Sequence, residues 1–158
     1  MKPKHTLTRL ALAALAISVL GLSAAAQEQK ITAKDVPAAV TTAFKTAYPN
    51  ARIRGYARER ENGKLHYEIE SLDGTKARDL LYNPDGTLAE TEETIAAGDL
   101  PSDAQQALHK QYPRAVISKA ERTTAGEKVT YEVAARQGKR RISMEFDSSG
   151  KVLSSKAR

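Results

Sequence analysis

The segment DVPAAVTTAFKTAYPNARI, residues 35–53, returns 64 positions later as DLPSDAQQALHKQYPRAVI, residues 99–117. The echo continues without a gap, so residues 35–93 lie over residues 99–157 with 13 of 59 positions identical. The identities include Asp35/Asp99, Pro37/Pro101, Tyr48/Tyr112, Pro49/Pro113, Tyr67/Tyr131, Glu68/Glu132 and Gly86/Gly150. Other positions exchange like for like, as in Ile69/Val133, Leu80/Met144 and Tyr82/Phe146. Turn residues and alternating apolar positions are what recur. The duplicated object is therefore a folding unit, not a catalytic motif.

Each unit opens with a helix. Val36, Val40, Ala43, Phe44 and Ala47 recur at spacings of three and four, as do Leu100, Ala104, Ala107 and Leu108, so each set lines one face. Pro37 and Pro101 suit a first helical turn, and Asp35 and Asp99 ahead of them suit its N-terminus by capping or charge. Tyr48-Pro49 and Tyr112-Pro113 end the helices, because the residue before proline is pushed out of helical angles. Strands follow. Leu65, Tyr67 and Ile69 alternate with His66, Glu68 and Glu70, which predicts a half-buried strand. Asn62-Gly63, Asp73-Gly74 and Asn83-Pro84-Asp85-Gly86 supply turns, echoed by Ala125-Gly126, Gln137-Gly138 and Asp147-Ser148-Ser149-Gly150. The expected unit is a helix and a four-stranded antiparallel meander. Two units make an α+β fold of two helices and about eight strands, with the helices on one face of a shared sheet. Residues 90–98 read as an exposed connector.

The first 26 residues read as an export signal: Lys2, Lys4 and Arg9, an apolar run over residues 10–22, then Ala24-Ala25-Ala26. Cleavage is expected after Ala26, leaving a periplasmic or secreted chain of residues 27–158. The run is too short for a spanning helix, which needs about 20 apolar residues. Removing three basic residues lowers the formal charge from +6 to +3, which is no electrostatic footprint for nucleic acid. There is no cysteine. Cysteine chemistry, disulfide staples and a lipid-modified cysteine are excluded. Units of about 60 residues are marginal alone, so the two repeats are expected to share one core within a single domain.

Asp35-Val36-Pro37, the amphipathic helix and Ala47-x-Tyr48-Pro49-x-Ala51-x-Ile53 resemble the exported PepSY-like, β-lactamase-inhibitor-like family. The second copy repeats the pattern in Asp99-Leu100-Pro101 and Tyr112-Pro113-x-Ala115-x-Ile117, and Tyr67-Glu68 and Tyr131-Glu132 add to it. The resemblance covers nearly the whole mature chain. It implies tandem helix-plus-four-strand units in one sheet, export, and a binding or inhibitory role with no catalytic residues. The β-lactamase inhibitor itself carries disulfides that this chain lacks.

His66, Glu68 and Glu70 form the candidate metal set, since period-two alternation puts all three on one side of a strand. Against it, the second copy keeps only Glu132, and side chains two apart on a strand splay; a solvated face is the plainer reading. No serine sits in a glycine-flanked elbow and His109 lies on the polar side of its helix, so no hydrolase is read here. Even numbering puts Arg52, Arg54, Arg58 and Arg60 on one face, and Arg136, Lys139, Arg140 and Arg141 flank a turn. Tyr67 and Tyr131 are expected in the core, Tyr48 and Tyr112 at the helix exits, and Tyr56, opposite Ala120 in the repeat, in an exposed contact. The expectation is a non-enzymatic module without cofactor that binds an envelope protein or peptide through its open sheet face. Its contact set is Arg54, Tyr56, Arg58, His66, Glu68, Glu70, Glu132 and Arg141. The alternatives are an ion-binding protein and an envelope-stress factor acting through basic patches.

Overall fold

The structure, a computed structural model, describes residues 28–61 and 63–158. The expected signal and its cleavage point lie outside the described residues, as does Asn62. The chain runs β1 (Gln29–Lys30), α1 (Ala38–Ala47), β2 (Arg52–Glu61), β3 (Lys64–Asp73), β4 (Lys76–Tyr82), β5 (Leu88–Thr94), α2 (Ser102–Gln111), β6 (Val116–Ala125), β7 (Lys128–Gln137), β8 (Arg140–Asp147) and β9 (Val152–Ala157). The nine described strands form one antiparallel sheet in strict chain order. The strand beyond the expected eight is β1, which precedes the repeat as read from the sequence. The expected connector is also partly strand, because Leu88–Thr94 is β5.

The helices start one step later than expected. Pro37 and Pro101 are N-caps, outside the first turn. Asp35 does not cap α1 but closes the 3-10 turn Ala33–Asp35, where its carboxylate accepts from the Thr32 amide at 3.1 Å and hydroxyl at 2.7 Å. Tyr48 and Tyr112 end the helices as expected, their amides donating to Phe44 and Leu108.

Repeated glycines have a reason that only packing reveals. Gly86 and Gly150, both at φ +87°, turn the β4–β5 and β8–β9 hairpins against the helix starts. A Cβ on Gly86 would lie 2.7 Å from the Ala39 carbonyl oxygen, and one on Gly150 2.5 Å from the Ala104 nitrogen. These turns dock each meander onto its own helix, so the pair recurs.

The expected common core does not form. One apolar cluster joins Val36, Val40 and Phe44 to Ile69, Leu80 and Tyr82 beneath α1. A second joins Leu100, Ala104 and Leu108 to Val133, Met144 and Phe146 beneath α2. Each fully buried Ile, Leu or Phe contributes about 1.5–3 kcal/mol by leaving water. Tyr48 and Tyr67 pack against the first cluster and Tyr131 against the second, which Tyr112 joins. The repeats meet edge to edge instead, through four residue pairs of β5 and β6 from Thr91↔Thr124 to Thr94↔Glu121. On the helix side of this joint the cross-strand row is Arg78↔Glu93↔Arg122. The buried Glu93 carboxylate takes Arg78 at 3.3 Å, Lys76 at 3.6 Å and Arg122. An ionic seam therefore separates the two patches of oil.

Candidate functional site

Residues directly opposite in an antiparallel pair share a face. Ile69 and Leu80 are opposite and lie under α1, which fixes the helix side; Glu70, Asp79 and Glu92 form the next row on the uncovered side. Glu121, Glu132 and Glu145 stand opposite one another across β6, β7 and β8 on that same side. Glu68 and Glu90 also face it, aligned through Leu81. Every strand from β3 to β8 thus contributes a carboxylate to one continuous band. Cations gather toward one end of the face, among them Arg52, Lys119, Arg136, Arg141 and Lys156 by register. Lys119 pairs with Glu121. A chain of positive formal charge has segregated its acids.

Burial and crowding change these acids. Burial, then the charges of Asp79, Glu28, Glu70 and Glu59, push the Glu68 carboxyl up to about 8. Burial also raises Glu92, with further contributions from Glu121 and Asp79 and from a hydrogen bond shared with Glu121. Asp79 is exposed by area, yet desolvation first and Glu70 and Glu121 next hold its carboxyl above the usual range, with Lys119 and Arg54 opposing. Like charges set this close favour keeping protons. The face gains negative charge as pH rises through neutrality.

Five of the eight expected contact residues lie on this face as read: Arg54, Glu68, Glu70, Glu132 and Arg141. Glu132 accepts from the Ser143 hydroxyl at 3.2 Å. His66 shares the face but is buried, with 8% of its surface exposed, and its Nδ1 has no hydrogen-bond partner among the described residues. Tyr56 and Arg58 are on the opposite side. Tyr56 is opposite Ile69 and packs against the first apolar cluster; Arg58 is opposite Tyr67 and donates through Nε and Nη2 to the Gln29 side chain at 2.9 and 2.7 Å. The cause is a bulge between Ile53 and Gly55, which reverses the parity of β2. The supposed arginine stripe is split, with Arg52 and Arg54 facing one way and Arg58 and Arg60 the other. Alternation alone could have found Asp79, beside Leu80. Alternation marks Glu145 as well, between Met144 and Phe146, whereas Glu92 falls in the stretch that reads as a connector and Glu121 lies beyond a second bulge, between Ile117 and Lys119.

The candidate metal set stays a row along one strand. Among the described residues no three His, Asp or Glu side chains converge to hold an ion. No helix among them is long and apolar enough to cross a membrane.

Among the described residues, two α-helices lie on one side of a nine-stranded sheet and no element covers the other, which defines the class of fold. The chain belongs to the beta-lactamase-inhibitor-like, PepSY-like family, which it matches over residues 23–89 and 66–154. Among solved structures it is similar to a protein described as periplasmic from Bacteroides eggerthii, at 15% identity and a TM-score of 0.61, over 77% of this chain and 88% of that one. It is also similar to a BLIP-like protein from Bacteroides fragilis, at 19% identity and a TM-score of 0.56, over 77% and 86% of the two chains. A DUF2874 family protein from Bacteroides uniformis gives 13% identity and a TM-score of 0.60, over 77% and 89%. At these identities the likeness is one of fold. No match is found among curated proteins.

Proposed function

We propose that this chain is an exported, non-catalytic binding module whose bare sheet face docks a basic segment of an envelope protein or peptide. The observation that carries the reading is the carboxylate band, one acid or more from each of six consecutive strands, on the face the helices leave free. Charge complementarity of this kind sets partner choice and association rate. The apolar-plus-basic signal and the periplasmic description of the B. eggerthii neighbour support an envelope location. The BLIP-like neighbour supports a blocking role, in which the docked partner is a hydrolase whose basic loop is held against the band.

The test is titration of the mature chain with a fluorescent lysine-rich peptide. Binding is expected to weaken steeply between about 50 and 500 mM salt, and to fall at least tenfold in a Glu92→Lys, Glu132→Lys variant. Arg58→Ala, altered on the other side of the sheet, is expected to bind as the parent does. Equal binding by the charge-reversed variant would sink the reading.

A further inference from the structure

The 64-residue shift that relates the repeats also relates their edges. At the internal joint, Glu93 lies opposite Arg122, Thr94 opposite Glu121, and the Ile95 amide donates to the Ala120 carbonyl at 2.9 Å. Subtracting 64 from every number gives Gln29 opposite Arg58, Lys30 opposite Ala57, and the Ile31 amide donating to the Tyr56 carbonyl. All three are present, the last at 3.0 Å. Even the side chains correspond: Gln29 receives Arg58 as Glu93 receives Arg122, and Ile31 packs on the first cluster as Ile95 packs on the second. The strand β1 therefore occupies the place that the last strand of a preceding repeat would take. It is a plug of two residues where the internal joint has four pairs. Beside it an open cleft of about 590 Å³ is lined by Glu28, Gln29, Arg58, Glu59, Arg60 and Leu65.

At the other end of the sheet, β9 is the repeat counterpart of β5. Its outer edge presents the same backbone that β5 uses to hold β6. The amide of Arg158 donates to Arg141, so alternation sends the amides of Ser155 and Ala157 outward. No described strand covers that edge. We propose that the outer edge of β2 is a strand-acceptor site for β9 of a second copy of this chain, held shut by β1. In the register of the internal joint, Lys156 of one copy faces Glu59 of the next, an opposite-charge pair, and Ala157 faces Arg58. The contact is heterologous, so it propagates head to tail. Gln29 satisfies Arg58 where Ala157 cannot, and β1 is tethered to its own edge at high effective concentration. The closed form is thus the resting form, and loosening β1 opens the site.

The experiment uses the full mature chain. Two single-cysteine variants, Glu59→Cys and Lys156→Cys, are mixed under mild oxidation, each in the parent background and with Ile31→Asp to loosen β1. These positions are at opposite edges of one molecule and become direct neighbours, at non-hydrogen-bonded spacing, across the proposed joint. The expected result is a mixed Glu59→Cys/Lys156→Cys disulfide at least tenfold more abundant in the loosened background than in the parent. It should outnumber either like pair and be abolished by Ala157→Pro, which removes an outward amide and spares β8. Light scattering of the cysteine-free Ile31→Asp chain should show mass rising with concentration. If Ile31→Asp does not fold, Gln29→Ala, which removes only the Arg58 bond, carries the same comparison. A folded, loosened chain that stays monomeric and cross-links no better than a Lys128→Cys control would overturn the proposal.

Discussion

Glu93 accepts from Arg122 across the β5–β6 joint, between the two apolar clusters. The partners are unequal: Glu93 is buried, Arg122 keeps 45% of its side chain in water, and Arg78, the third member, is half-buried, with Nη1 3.8 Å from the Asp73 carboxylate and its guanidinium 5.0 Å from the centre of the Tyr48 ring. Burial pushes the Glu93 carboxyl up, but Arg122, Lys76 and Arg78 outweigh it and hold it below the usual range. Glu93→Ala takes from Arg78 its nearest carboxylate, leaving it Asp73 at 3.8 Å, and is expected to cost about 2–3 kcal/mol in urea unfolding. Arg122→Ala, at the exposed end, is expected to cost about 0–1 kcal/mol. The advantage of Glu93 over Glu93→Gln should be full above the ordinary carboxylate range and vanish as pH falls through the lowered value. Equal losses for the two alanine variants would contradict this division.

Two clusters separated by charge make a statement about additivity. Ile69→Ala should cost about 2–5 kcal/mol, and combining it with Val133→Ala in the other cluster should give the sum of the single effects within about 0.5 kcal/mol. Ile69→Ala with Leu80→Ala, its cross-strand neighbour, should depart from additivity by more. Strong coupling between Ile69 and Val133 would restore the single core that the structure replaces.

Gly150→Ala faces both a left-handed backbone and a backbone atom 2.5 Å from the new methyl group. The expected loss is about 2 kcal/mol or more, above the roughly 1–2 kcal/mol of the conformation alone. Gly138→Ala, at φ +62° with open space around it, should show the conformational part only. Matching thermal shifts for the two variants would mean that the turn does not press on α2.

Glu68 titrates near pH 8 in the folded chain and in the ordinary range when unfolded. The folded state binds the extra proton, so stability should decline as pH rises from about 4.5 to 8 and then level off. Glu68→Gln should therefore raise stability by about 1 kcal/mol at pH 9, a figure kept well below the full linkage value because the group is partly open to water. The gain should disappear at pH 4. A pH-independent gain would assign the effect to packing instead.

Much of this architecture was legible from the chain alone. The helix faces of Val40/Phe44 and Ala104/Leu108 follow from 3.6-residue periodicity, the meanders from alternation, and the turns from glycine and proline chemistry. The candidate face was legible in half. Glu68, Glu70 and Glu132 follow from period two on unbroken strands. Alternation carried straight through β2 puts Tyr56 and Arg58 on the wrong side, because one extra residue at the bulge reverses every side chain beyond it; Gly55, a lone glycine within a strand, is the one local mark of that bulge.

Local patterning settled what each residue could become: strand or helix, inward or outward within one element, repeat against repeat. Those choices depend on near neighbours along the backbone. Only the tertiary structure decided that the units join through β5 and β6, with Glu93 between two cores, and that acids from six strands align. Pairing across strands brings together residues tens of positions apart, and a shift of one residue changes which charges meet. The place of β1 was decided the same way, since two residues carry no periodicity and acquire meaning only from the edge they cover.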